Sequence, residues 1–299
     1  LEQELYQIPN GKTPEGIAAL QSKYPQLMNY YISAVMNLED TTQVQSYMLR
    51  TMDELIHHPF MVNMYDTIQL QYKDFSEYEK ELHIVIKNFQ NYFPKTPPTQ
   101  LVTFTAGIGP RNFYDTPYLG IGLDLYLGED YPYYPSQGLP DFLIKRFLPK
   151  YIATDAAISL ATGEIIDPLK RGTQFLDIMV YYGKIYYIAS YLSPKSPIED
   201  FYNYSKEDWE WCETNEKEIW AFFIDGEWLY KNQLMDYRKF IDDAPTTMGM
   251  PQGAPDRVGK WMGYQIVKKF MKENSNMNFQ DLINIESGQE VLKASKYKP

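Results

Sequence analysis

Three neighbouring stretches decide the fold: TQLVTFTAGIG (99–109), YLGIGLDLYLGEDYPYYP (118–135) and LPDFLIKRFLPKYIATD (139–155). Thr99–Ala106 is a short apolar run rich in β-branched residues, closed off by Pro97-Pro98 and Gly107, which is the pattern of a buried strand. Tyr118–Leu127 is a second such run, with glycines at 120, 122 and 128. A glycine inside a strand marks a bulge or the close approach of another segment. Asp124 interrupts this run between Leu123 and Leu125. A loop dense in proline and tyrosine follows, and then a helix from near Leu139. Two strands feeding an acidic, tyrosine-lined loop and a helix predict a cleft wall.

Upstream, residues 1–24 are polar and broken by Pro9-Asn10-Gly11 and Pro14, which predicts an N-terminal arm with one short helix near Glu15–Lys23. Apolar residues at helical spacing then predict helices over Gln26–Leu38, from a cap at Thr41-Thr42 to His57 (with Val44 on the apolar face), over Phe60–Tyr72 and over Phe75–Phe93. Downstream, Pro140–Ala161 reads as one helix bent at Pro149, and Thr162–Gly172 as a loop holding Pro168. Gly172–Leu192 is the clearest buried helix. Ser205 with Asp208 three residues on is a capping box. The stripe behind it carries Trp209, Cys212, Ile219, Trp220 and Phe223. Asp256 is placed to cap a last long helix through Phe270, and the tail from Asn278 holds two short helices.

These elements predict a predominantly helical α+β protein whose small sheet near 99–127 is packed by helices. The expected organisation is one domain over 1–299, with an arm at 1–24, helices at 25–93, the sheet at 99–127 and helices again at 139–299.

Composition removes several function classes. The net charge of −11 argues against nucleic acid, because phosphate recognition needs clustered Lys and Arg. Cys212 is the one cysteine, so no internal disulfide and no cysteine-built metal site can form. No run reaches the roughly 18 apolar residues of a membrane span. The chain starts Leu1-Glu2-Gln3-Glu4 without a methionine, and an export or lipidation segment upstream is expected. Twenty-seven tyrosines suit either a binding face or a core of amphipathic rings.

The histidines are His57, His58 and His83. A helical zinc site needs two imidazoles at i, i+4 with a glutamate beside the first. His57 and His58 are adjacent and point about 100° apart on a helix, before Pro59, where they read as a cationic C-terminal cap. No metal and no cofactor are expected. No nucleophile elbow, P-loop or dinucleotide fingerprint is present. Asp124, Glu129, Asp130, Asp141 and Asp155 all fall near the predicted cleft, where a pair of carboxylates would do hydrolytic work. Glu216 falls on an apolar stripe and Arg257 begins a helix with an apolar inner side, so the two are expected to pair and stitch the C-terminal helices together.

Taken together, YFPKTPPTQLVTFTAG (92–107), IGLDLYLGEDYPYYP (121–135), FLDIMVYYGKIYYIASYLSP (175–194), WCETNEKEIWAFF (211–223), Leu229-Tyr230, APDRVGKWMGYQIVKKFM (254–271) and ASKYKP (294–299) resemble the gliding-motility lipoprotein GldB family of Bacteroidetes-type bacteria, in family order. The resemblance implies an exported protein, acylated on a cysteine ahead of the mature start and linked to gliding and its associated secretion machinery. The family is also distantly similar to gluzincin-type zinc peptidases. Here the helix around Tyr151–Leu160 has no histidine, and Tyr182-Gly183 stands where a peptidase would show Glu-Gly. The resemblance thus implies a zincin-like scaffold lacking the metal site.

The expected function is that of a non-catalytic lipoprotein of the periplasm or outer membrane, held only by an N-terminal lipid absent from this chain. It would bind a protein or envelope component through a wall of Asp124, Tyr126, Asp130, Tyr133, Tyr134, Asp155 and Tyr181. The competing reading is a peptidase- or glycosidase-like hydrolase using carboxylates of the 124–155 cleft, for which perturbed acids should converge in one pocket. A glycan-binding module would instead show coplanar exposed Tyr or Trp rings along a groove.

Overall fold

The computed structural model describes residues 1–36, 45–165 and 174–299. The predicted cap at Thr41-Thr42, with Val44, and the loop positions Pro168 and Gly172 lie outside them. The N-terminal arm is more helical than its prolines suggest: α1 (Glu2–Tyr6), α2 (Thr13–Lys23) and α3 (Pro25–Tyr30) follow one another, and α3 continues into a π-turn at Tyr31–Val35. Pro14 and Pro25 both sit in first helical turns, where the missing N–H costs nothing. α4 (Gln45–His57), α5 (Pro59–Gln71) and α6 (Ser76–Tyr92) complete the first helical layer. α6 buries Leu82, Val85, Ile86 and Phe89, one face of a 3.6-residue repeat.

The two adjacent histidines have different roles from the expected shared cap. His57 reaches Asp53 at 3.0 Å through Nδ1 and the Ile8 carbonyl oxygen at 2.9 Å through Nε2, and so ties the arm to α4. His58 Nδ1 accepts the Phe60 N–H and caps the start of α5.

The sheet has three strands, β1 (Gln100–Phe104), β2 (Asn112–Asp115) and β3 (Tyr118–Gly122), in the order β1-β3-β2. β3 runs parallel to β1, with Leu101 opposite Leu119, and antiparallel to β2, with Phe113 opposite Gly120. The glycine reading holds here: a Cβ on Gly120 would stand 2.1 Å from the Phe113 ring, which lies across the bare backbone. β2 is the strand that periodicity missed. Its four residues, NFYD, are too short to show alternation.

Beyond β3 come two single turns, α7 (Tyr133–Ser136) and α8 (Asp141–Ile144), then α9 (Ile152–Glu164). One bent helix over Pro140–Ala161 does not form. The chain leaves the helix after Ile144 and re-enters through a 3-10 turn at Pro149–Tyr151. Pro149 has no N–H to continue a helix, and its ring drives Leu148 into extended backbone. α9 packs on β2 and β3, on α6 and on α10, and small residues are among those it buries, Ala153, Ala156, Ala157 and Ala161.

The C-terminal half holds α10 (Phe175–Leu192), α11 (Lys206–Thr214), α12 (Glu216–Asp225), α13 (Leu234–Tyr237), α14 (Val258–Glu273), α15 (Phe279–Asn284) and α16 (Gly288–Ser295). The Ser205–Asp208 capping box starts α11 as expected. Asp256 does not cap α14. The cap position is Arg257 in left-handed backbone (φ 55°), with no side-chain cap bond, and the Asp256 carboxylate is used elsewhere. α10 and α14 form the main crossing of the core, and the two helices of the tail close over it. No described helix is long and apolar enough to cross a membrane.

Candidate functional site

A layer of charge lies where the sheet edge, the start of α9 and the start of α14 meet. Arg111, just ahead of β2, donates to Asp155 on α9 at 2.7 Å, to Asn203 Oδ1 at 3.1 Å and to the Arg146 carbonyl oxygen at 3.0 Å. Its guanidinium stacks over the Tyr126 and Phe147 rings. The Tyr126 hydroxyl donates to the same Asp155 oxygen at 3.0 Å. The break between α8 and α9 is what makes this possible, since a continuous helix would have used the Arg146 carbonyl internally.

Arg146 then links this pair to a second group. Its Nη1 meets Asp243 at 2.7 Å and its Nη2 meets Asp256 at 2.8 Å. Asp256, 1% exposed, also accepts from Arg257 Nε and the Ala244 N–H, both at 3.0 Å. Arg257 Nη2 donates to the Tyr202 carbonyl oxygen at 2.6 Å. Lys260, one turn into α14, lies 4.2 Å above the Tyr182 ring. Burial, then the field of Arg257, pushes the Lys260 ammonium down to about 8. Burial pushes the Asp243 carboxyl up, but Arg257, Lys260, Arg146 and Arg111 outweigh it and hold the group below the usual range. Beside Arg146 a cleft of about 640 Å³ opens, with Lys145, Lys150, Asn203, Tyr204 and Ala244 in its walls.

The residues singled out from sequence as one wall do not form one. Asp124 is 1% exposed: its Oδ2 accepts the Ala106 and Ile108 N–H groups at 3.3 and 3.2 Å, and its Oδ1 is buried without a partner. Burial pushes this carboxyl up to about 6. The Tyr134 hydroxyl is a core tie, donating to the Asp124 carbonyl oxygen and accepting the Leu127 N–H. Tyr133 is buried against Phe60 at 3.9 Å between ring centres. Asp130 is on the surface, and Tyr181 is half-buried beside Tyr182. Tyr126 and Asp155 do come together, in the Arg111 cluster. The run 118–127 reads as a strand wall, but its second half is a buried 3-10 turn, and apolar spacing alone cannot separate the two.

The expected Glu216–Arg257 pair is replaced by two other arrangements. Arg257 is held by Asp256 and Asp243, and Glu216 accepts a hydrogen bond at 2.5 Å from the hydroxyl of Tyr297 in the tail. Both residues needed partners, as their apolar settings required, and nearer ones were present.

A second concave feature escaped the sequence altogether. Tyr92 at the end of α6, Tyr187 and Tyr191 on α10, Tyr264 on α14 and Phe279 on α15 wall a groove of about 640 Å³, with Lys268 and Lys272 at its rim. Tyr92 and Tyr191 remain 44% and 43% exposed. The rings are not coplanar: Tyr92 and Tyr191 stand at 85° and Tyr191 and Phe279 at 77°. The contributing residues come from four helices, so no local stretch carries the signal.

Chemically, the charged cluster is built to hold rather than to react. Asp155 is engaged by a guanidinium and a phenol, and Asp256 by two guanidiniums and an amide. Asp124 lies apart from both in the core. Among the described residues no group of three or more His, Cys, Asp and Glu side chains is placed to hold a metal ion.

In comparisons with known proteins, no curated protein and no solved structure matches the chain. The family model described as gliding motility protein GldB matches residues 1–299. The chain therefore belongs to the gliding motility GldB family, a family of exported, envelope-associated lipoproteins.

Proposed function

We propose that the protein is a non-catalytic lipoprotein of the gliding-motility type, attached in the periplasm or at the outer membrane, that works by binding another protein. The aromatic groove between α6, α10, α14 and α15 is the binding site. The observation that carries this reading is the pair Tyr92 and Tyr191, each more than two-fifths exposed at the mouth of a concave apolar groove. Large rings held at low entropic cost beside a cavity are what protein-binding hot spots are made of. Lys268 and Lys272 at the rim suit a segment that carries acidic residues beside its apolar ones. The crossed ring planes favour a peptide over a sugar, which would stack on parallel faces. The hydrolase reading draws no support from the site, because Asp124 is closed in the core and Asp155 is bound by Arg111.

The test is photo-crosslinking in cells, with the lipidated full-length protein carrying a photoreactive amino acid in place of Tyr191 or of Leu70, which is 77% exposed on α5. A discrete adduct from position 191 that is absent from position 70, and is lost when Tyr92→Ala is added, is the expected result. Equal adducts from both positions, or none from 191, would overturn the groove assignment.

A further inference from the structure

The pocket around Asp243 holds more positive charge than its own carboxylates neutralise. Arg111 is matched by Asp155, and Asp242, which also acts on Lys260, is paired with Arg238, which leaves Arg146, Arg257 and Lys260 facing Asp243 and Asp256. Asp256 is a fixed part of the pocket, 1% exposed and tied to two guanidiniums and the Ala244 N–H. Asp243 is different. It is 52% exposed, and its carboxylate is held by Arg146 at 2.7 Å and Arg257 at 3.3 Å. The bond from the Ala244 N–H to Asp256 pins the backbone next to Asp243, so its side chain can turn out of the pocket while the loop stays in place. The opening it would leave borders the 640 Å³ cleft beside Arg146 and Ala244.

We propose that Arg146, Arg257 and Lys260 form a carboxylate-binding pocket, which Asp243 fills in the free protein and gives up to a carboxylate on a ligand entering through the adjoining cleft. A carboxylate is the fitting group because one already occupies the position, with its Oδ1 between Arg146 Nη1 and Arg257 Nε. The surplus cation Lys260 supplies attraction that Asp243 and Asp256 leave unspent. Along the cleft Lys145 and Lys150 are offset by Asp141 and Asp208 in the same walls and by Asp200 on Lys150, so the attraction is local to the pocket. This pocket is separate from the aromatic groove, and its occupancy does not depend on the groove binding anything.

The experiment titrates the purified protein with a triglutamate peptide by calorimetry, and with acetate, phosphate and chloride at matched ionic strength by thermal melting. An intramolecular competitor lowers apparent affinity by the fraction of time the pocket is free, so Asp243→Ala is expected to bind the peptide at least about tenfold more tightly than wild type. Asp243→Asn keeps the shape and removes the charge, and should show the same gain if the alanine variant folds poorly. Acetate should raise the melting temperature of both variants more than chloride or phosphate does, and adding Lys260→Met should reduce that gain. Unchanged peptide affinity on substituting Asp243, or equal melting shifts from acetate and chloride, would overturn the proposal. A preference for phosphate would overturn the assignment to carboxylates.

Discussion

Gly183 on α10 and Gly263 on α14 bring two helix backbones into contact. A Cβ on Gly183 would stand 2.2 Å from the Gly263 carbonyl oxygen, and one on Gly263 would stand 1.8 Å from the carbonyl oxygen of Met179. The crossing buries Met179, Val180, Trp261, Met262, Ile266 and Val267, so it is a main seam of the core. At this crossing the sequence serves close packing, and the Tyr182 ring lies beneath Lys260.

Gly263→Ala should therefore destabilise the protein by about 3 kcal/mol or more, since backbone atoms cannot move aside as a side chain can. Gly183→Ala should act in the same direction. Denaturant unfolding of both variants beside wild type measures the loss.

Breaking the Arg111–Asp155 pair should be costly from either side. Arg111→Met leaves Asp155 buried without its cation, and Asp155→Leu leaves Arg111 without its anion. Each should lose about 3–5 kcal/mol, and the double variant should recover part of that loss, because two apolar groups leave no stranded charge. A double-mutant cycle on equilibrium unfolding gives the coupling directly.

Asp124 should make stability fall as pH rises. Its carboxyl titrates near 6 in the fold, above the ordinary 3.8, because burial disfavours the charged form. The native state then holds a proton that the unfolded chain has released, so stability is lost between about pH 4 and pH 6, by roughly 3 kcal/mol in all. Glu2, raised by the same cause, acts in the same direction. Asp124→Asn keeps an oxygen for the Ala106 and Ile108 amides and carries no charge. It should flatten this part of the stability profile and be at least as stable as wild type at pH 7. Melting curves from pH 4 to pH 8 test both statements.

The helical layers, both long C-terminal helices and the strands β1 and β3 were legible from apolar spacing and from glycine and proline punctuation. β2 was too short to show a period. The break at Pro149 was visible as a bend but not as the opening that turns Arg146 toward Asp243 and Asp256. The candidate site was less legible for a related reason. Asp155 and Tyr126 were named as cleft residues and Arg257 as a polar residue at the start of an apolar helix, yet Arg111 lies 44 residues from Asp155, and Asp243 and Asp256 lie in a segment without periodicity. Burial was misjudged where a run of strand-like residues turned into a 3-10 turn, which put Asp124 inside the core instead of on a wall, and again at the single turn α7, which buries Tyr134. The aromatic groove was out of reach because Tyr92, Tyr191, Tyr264 and Phe279 meet only in three dimensions.

The measurement that bears most directly on a binding role is the spreading of a gliding host whose own copy is replaced by the lipidated protein carrying Tyr92→Ala and Tyr191→Ala. Both side chains are more than two-fifths exposed, so the purified variant should melt within a few degrees of wild type, and the protein should accumulate normally in the envelope. The groove account predicts that spreading is lost all the same. Full spreading with both rings removed would contradict it.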